Sequence, residues 1–240
     1  ADLFRADQQR RRMTADITHD LGTPLQVISG YIEMLEEGVV TLSPQRLEII
    51  KTEIGHLRRL VDDLTTLAQV EAGGLDIQLA PLQPPVLLER IYNAYHPIAA
   101  RKGITLTLDV PQSMPDILAD EGRMMQVLKN LLENVMRYTP KGGAIRLSAQ
   151  AGSRIQLRVA DTGSGIEADD LPYVFDRFYR ADKSRGGNSG KMGLGLAICK
   201  ALVIAQNGMI SAESAGKGQG ACMVITFNPA PAQAAPPDAD

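Results

Sequence analysis

Apolar residues recur at helical spacing from Met13 onward: Met13, Ile17, Leu21, Leu25, Ile28, Ile32 and Leu35. This periodicity predicts a helix from near Leu3 to Glu37 with one buried stripe. Pro24 falls inside it and removes an i→i−4 hydrogen bond, so a bend is expected just after His19. Gly38 stops the helix, and Ser43-Pro44 suits the start of a second one, with serine as N-cap and proline at the first helical position. That second helix carries Leu47, Ile50, Ile54, Leu57, Val61, Leu64 and Ala68, spaced alternately by three and four, which is a heptad seam. Ile49, Leu60 and Leu67 add an apolar flank that a two-helix hairpin leaves uncovered. Such a hairpin most economically pairs with a second copy into a four-helix bundle, so a homodimer is expected.

Gly73-Gly74 ends the second helix, and Pro81, Pro84 and Pro85 mark a linker over residues 73–85. Beyond it the period changes. Val86 to about Ala100 and Glu121 to Tyr138 read as helices, with a strand at Ile104–Leu108 between them. Ile145–Leu147 and Ile155–Val159 read as strands joined by a turn at Ala151-Gly152. Leu194 to Gln206 is a further helix, followed by strands near Met209–Ser214 and Met223–Phe227. Hairpin strands with helices between them predict an α+β sandwich over residues 86–228, after a helical domain over residues 1–72. The tail 229–240, rich in Pro and Ala, is expected to be disordered.

Bulk numbers add exclusions. The 240 residues leave room for one large domain or two small ones, and 44% hydrophobic with 22% charged residues is ordinary for a globular chain. A net charge of −3 gives no reason to expect a nucleic-acid partner, and Arg10-Arg11-Arg12 reads as a solvated helix face. Cys199 and Cys222 have no metal spacing and read as buried reduced thiols, consistent with a cytosolic setting. No run of about 18 apolar residues exists, so neither a membrane span nor direct membrane contact is expected. No secretory signal is visible. A start at Ala1 rather than Met suggests a fragment of a longer protein, although a processed start would look the same.

Chemistry enters with His19. At roughly 100° per residue it lies about 200° from Ile17, away from the apolar stripe, and Asp20 follows it directly. Alone, this is also what an ordinary surface pair looks like. Four features further on are equally ambiguous one by one. Asn130 and Asn134 lie one turn apart in Asn130–Tyr138, where amide oxygens could ligate Mg²⁺ and Arg137 and Tyr138 could meet a phosphate and a base; capping or surface asparagines would look the same. Asp161-Thr162-Gly163-Ser164-Gly165 ends a strand with a carboxylate able to accept a base amine, or is a tight turn. Gly186–Met192 runs into Gly193-Leu194-Gly195, whose helix N-terminus suits a polyphosphate behind a lid-like stretch. Phe175 and Phe178 place two aromatics three apart, as core packing would also do.

In order and spacing, these segments resemble the sensor histidine kinases of two-component systems over nearly the whole chain. His19–Leu25 is similar to the H box, Asn130–Tyr138 to the N box and Asp161–Gly165 to the first glycine box. Phe175–Phe178 resembles the F box and Gly193–Gly195 the second glycine box. The resemblance implies a dimerisation and phosphotransfer domain, then a catalytic ATP-binding domain of the GHKL type with a Bergerat fold. It implies ATP and Mg²⁺ as cofactors, with Asn134 on the metal, Asn130 supporting it and Asp161 on the adenine amine. Gly163, Gly165, Gly193, Leu194 and Gly195 would shape the nucleotide loops, while Arg137 and Tyr138 contact phosphate and base. His19 would be the phosphoacceptor, Asp20 the general base and Thr23 a support for dephosphorylating the regulator. The implied partners are a second copy and a response-regulator receiver domain, and the parent protein would be anchored in a bacterial membrane with this core in the cytoplasm. Gly22 stands where the family usually has arginine, and Asp20 where glutamate is commoner. A degenerate scaffold and a GHKL ATPase of the chaperone or mismatch-repair type are the rival readings; His19, Asp20, Asn134 and Asp161 weigh against the first, and the second lacks a helical hairpin bearing an exposed His-Asp pair.

Overall fold

The fold of the chain, in a computed structural model, is described over residues 2–179 and 193–231, without the side chains of 2–14, 16 and 71. Two compact units divide it: residues 1–75 with 176–198, and residues 76–175 with 199–240.

The first unit is the helical hairpin. Helix α1, Asp2–Glu36, runs through Pro24, and α2, Pro44–Glu71, packs against it. Ser43 Oγ accepts the N–H of Arg46 at 3.3 Å, which satisfies one of the donors orphaned at the start of α2. The Arg46 guanidinium donates to the Thr41 carbonyl at 2.6 Å and holds the connecting loop. Ile17, Leu21, Ile28 and Leu35 are half-buried between the helices, as are Ile50, Leu57 and Leu64.

Alternate positions of both apolar rows depart from the expected burial. Leu25 and Ile32 on α1, and Leu47, Ile54 and Val61 on α2, are exposed, the last two by 52% and 53%. One partner helix covers only one side of each row. The flank also differs from expectation: Leu60 and Leu67 are buried within the chain, and only Ile49 stays exposed.

The second unit places helices on one face of a mixed sheet. Its elements are β1 (Ala80–Leu82), α3 (Pro84–Arg101), β2 (Thr105–Asp109), β3 (Ile117–Ala119) and α4 (Glu121–Tyr138). Then come β4 (Ala144–Ala151), β5 (Ile155–Asp161), a short turn of 3₁₀ helix at Leu171–Tyr173, α5 (Gly195–Ala205), whose residues from 199 onward fall in this unit, β6 (Met209–Glu213) and β7 (Cys222–Phe227). Five strands form one sheet in the order β2-β4-β5-β7-β6, antiparallel except for β2 with β4. Ile145, Leu147, Ile155, Leu157 and Val159 alternate onto its buried face. Against that face α3 packs on β2 and β4, and α4 on β5. Met124, Val127, Leu128, Leu131, Leu132 and Val135 of α4 are almost fully buried, which makes this helix the spine of the unit. Asp120 caps α4 by accepting the Arg123 N–H at 3.0 Å.

Four sequence expectations need correction here. The linker read over 73–85 contains β1, which pairs antiparallel with β3, and α3 starts inside it at Pro84. Strands of three residues carry too little alternation to be read from pattern. The tail read as disordered from Pro229 begins with structure: Pro229 bridges Ile117, and the Ala230 N–H donates to the Asp116 carbonyl at 2.7 Å. Residues 232–240 lie outside the described residues. Cys199 is buried but Cys222 only half-buried, because Cys222 falls on the open face of the sheet; neither is in a disulfide. The strand expected over Ile104–Leu108 is shifted by one residue, to Thr105–Asp109.

Candidate functional site

The phosphoacceptor candidate is built by local helix geometry. The His19 side chain is 80% exposed, and its Nδ1 lies 3.0 Å from Asp20 Oδ1. A carboxylate at that distance fixes the proton on Nδ1 and leaves Nε2 as the basic nitrogen facing solvent. Pro24 is buried and has no N–H, so the Asp20 carbonyl loses its ladder donor one turn earlier. The Thr23 hydroxyl, exposed and one turn beyond His19, donates to the His19 carbonyl at 3.1 Å. At Gly22 an added Cβ would meet nothing within 4 Å, so the helix has room for a side chain there.

The nucleotide candidate is built from contacts distant in sequence. Asn130 and Asn134 sit half-buried on α4, with Arg137 and Tyr138 exposed at its end. The Asn130 Nδ2 is buried without a hydrogen-bond partner. An amide can turn to present its oxygen instead, so this orphaned group fits a cation held beside phosphate. Among the described residues no group of three or more His, Cys, Asp or Glu could hold a metal. A site that borrows its remaining ligands from substrate phosphates and water is the kind this chemistry allows.

Asp161, at the end of β5, is half-buried. Burial pushes its carboxyl above the usual aspartate range, opposed by the backbone at Gly163 and Ala221. The Gly163 N–H lies 2.7 Å from Oδ1. A carboxylate has about four lone-pair sites, so capacity remains for an outside amine. The following loop returns to the end of α4, where the Ser164 N–H donates to the Tyr138 carbonyl at 3.1 Å. A Cβ at Gly163 would sit 2.3 Å from that carbonyl oxygen, closer than any side chain allows. The structure therefore brings the N-box helix and the first glycine loop together.

Gly193, Leu194 and Gly195 belong to the first unit. Gly193, at φ 68°, accepts the Phe178 N–H at 3.2 Å, and Phe178 itself lies at φ 61°. A positive φ in an aromatic residue is uncommon and depends on its surroundings. The Leu194 side chain is buried, so only its backbone is available to a ligand. Gly195 opens α5 with free space where a Cβ would stand. The lid-like stretch Gly186–Met192 lies outside the described residues.

Sequence reasoning passed over Ser214. Its hydroxyl accepts the Ile166 N–H at 3.0 Å and donates to the Gly220 carbonyl at 2.7 Å, tying a second loop to the first. Glycines alternating at 216, 218 and 220 right after a strand were the signal that could have found it.

Two family models match this arrangement. The His Kinase A (phospho-acceptor) domain matches residues 9–73, and the histidine kinase-, DNA gyrase B- and HSP90-like ATPase matches residues 119–231. The chain belongs to the histidine kinases. The signal transduction histidine-protein kinase BaeS of Escherichia coli K12 is 41% identical over 211 residues, 88% of this chain and 45% of BaeS. The chain thus spans about half the length of the curated relatives it matches. Full-length ShkA, solved in complex with AMPPNP, is 31% identical at a TM-score of 0.68, over 92% of this chain and 47% of ShkA. ThkA, solved with the response regulator TrrA, shares the fold at a TM-score of 0.69 and 19% identity, over 98% of this chain and 69% of ThkA. Along the chain the phospho-acceptor match precedes the ATPase match, which falls on the unit of mixed helix and sheet. No helix among the described residues is long and apolar enough to cross a membrane.

Proposed function

We propose that this chain is the autophosphorylating core of a two-component sensor, with His19 as the phosphoacceptor. One observation carries the reading: an exposed imidazole whose Nδ1 is engaged by Asp20, leaving Nε2 as a poised nucleophile. Nε2 attacks the γ-phosphorus of ATP, an N–P bond forms, the bond to the β-bridging oxygen breaks, and ADP leaves. Asp20 holds the Nδ1 proton and stabilises the positive charge that develops on the ring. Mg²⁺, when bound, offsets the negative charge on the transferring phosphoryl group.

The ATP site follows from the second unit. Asp161 accepts the adenine amine, Asn134 binds the metal and Asn130, with its orphaned amide, supports it. Arg137 and Tyr138, exposed at the end of α4, contact phosphate and base. Gly163 and Gly165 shape the loop under the base. AMPPNP in the related ShkA supports ATP as the donor.

The exposed half-seams of Leu25 and Ile32, and of Leu47, Ile54 and Val61, support a homodimer in which a second hairpin covers them. The phosphoryl group then passes to an aspartate of a response-regulator receiver domain, the partner type seen with ThkA. Thr23 serves the reverse reaction, in which water attacks the phospho-aspartate. It must first give up its bond to the His19 carbonyl. The core lies in the cytoplasm of a parent protein anchored in the bacterial membrane.

The test is incubation of the chain with γ-labelled ATP and Mg²⁺. Wild type is expected to gain acid-labile, alkali-stable label; His19→Gln and Asn134→Ala are expected to gain none. Label retained by His19→Gln would sink the assignment of the nucleophile.

A further inference from the structure

We propose that Ser214 is a positioning residue for base recognition, acting on Asp161 through the Gly220–Ala221 segment. The assignment rests on the ATP-binding reading above. Two successive carbonyls carry the argument. The first, on Gly220, accepts the Ser214 hydroxyl at 2.7 Å. The next, on Ala221, accepts the Asp161 N–H at 2.8 Å. Ser214 therefore holds the segment to which the backbone of Asp161 is bonded.

The hydroxyl uses its full capacity, one donor and two acceptors. Besides Gly220 it accepts the N–H of Ile166 at 3.0 Å and of Gly216 at 3.3 Å. Ile166 lies just beyond the Asp161–Gly165 loop, and Gly216 and Gly220 lie on either side of the facing one. Ser214 thus pins both loops at once. Their approach is as close as backbone permits: a Cβ on Gly165 would stand 2.0 Å from the Gly216 oxygen, and one on Gly220 would stand 2.0 Å from the Asp161 oxygen. Further bonds run between the loops, Gly218 N–H to Ser164 carbonyl at 2.6 Å and Gly220 N–H to Gly163 carbonyl at 3.2 Å. Ser214 adds a side-chain contact to both loops, and with it holds the backbone on either side of Asp161.

The consequence is selective. Losing the hydroxyl loosens the carboxylate that distinguishes adenine from guanine, while the phosphate-binding groups on α4 and the nucleophile stay in place. Ser214→Ala is expected to raise the Kd for ATP about tenfold and to lower the ratio of GTP to ATP dissociation constants severalfold. The autophosphorylation rate at saturating ATP is expected to stay within about twofold. Ser214→Thr keeps the hydroxyl and is expected to restore both quantities. Ser214→Cys, a weaker donor, is expected to fall between Thr and Ala, so the ranking remains readable if the alanine variant unfolds. Calorimetric titration with ATP and GTP checks the affinities. Unchanged affinity in Ser214→Ala and Ser214→Cys would overturn the assignment, as would an equal loss for ATP and GTP or a loss that threonine does not repair. Failure of wild type to bind ATP would instead overturn the nucleotide-site reading beneath it.

Discussion

The two halves of the chemistry are made in opposite ways. On the hairpin, His19, Asp20 and Thr23 relate to one another through adjacent residues and a single helical turn. In the sandwich unit, Asp161 and the loop after it depend on partners from residue 138 to residue 221, and the closest approaches are bought by missing side chains. A site written in local geometry tolerates change around it; a site written in backbone contacts does not.

Glycine substitution separates the two most sharply. Gly165→Ala would force a Cβ onto the Gly216 oxygen at 2.0 Å, in a residue at φ 68°. The left-handed backbone alone costs about 1–2 kcal/mol, and displacement of the loop is expected to weaken ATP binding on the order of 100-fold. A titration with a fluorescent ATP analogue checks it, and near-normal affinity would break the contrast.

Next in size is core truncation. Leu131→Ala, fully buried on α4, is expected to cost roughly 2–5 kcal/mol in denaturant unfolding. Ile54→Asp on the exposed seam of α2 is expected to change the stability of a single protomer by only about 0.5 kcal/mol. Its effect belongs to assembly instead, a shift from dimer to monomer in sedimentation. A dimer that survives Ile54→Asp would show that the seam is not the interface.

Acid separates two carboxylates within the sandwich unit. Asp161 is held above the ordinary aspartate range by burial, so its ionised form is disfavoured in the folded chain. Folding stability from this group therefore increases as pH falls through its raised pKa, while ATP affinity declines over the same window as the carboxylate loses its capacity to accept the amine. Asp120 has the opposite sign: burial works against it, but N–H groups of Arg123, Gln78 and Gly122 bring it below the ordinary value. Its contribution to stability is present above the unfolded aspartate pKa and is lost as pH falls through the lower folded one. Affinity that stays constant down to the ordinary aspartate range would contradict the assignment of Asp161.

A last, small effect has the opposite direction from the first. Gly22→Ala meets open space in mid-helix and is expected to stabilise the hairpin by about 0.8–1 kcal/mol, raising Tm by a few degrees. Phosphorylation of His19 is expected to persist in this variant.

The same contrast explains what could be read from the chain beforehand. Helix α4 was legible to its end residues, because eighteen positions of amphipathic pattern follow an aspartate cap. The start of α2 was legible from Ser43-Pro44. His19 and Asp20 were legible as a pair because their relation is local. Strands β1 and β3 were not, since three residues around Pro81 gain their meaning only by pairing with residues nearly forty positions away. Which apolar rows stay exposed was not legible either. Leu60 and Ile54 look alike in sequence, yet one is buried and the other half open. Ser214 escaped because its role depends on the carbonyl of Gly220 and the N–H of Ile166, and on a carboxylate reached only through the fold.

The central claim is that His19 takes its phosphoryl group from ATP held by Asp161. Tandem mass spectrometry of the chain after incubation with ATP and Mg²⁺, kept alkaline throughout, tests it most directly. The account predicts one added phosphoryl group, on His19, in wild type and its near absence in Asp161→Asn. A phosphoryl group on any other residue, or undiminished modification of His19 in Asp161→Asn, would contradict it.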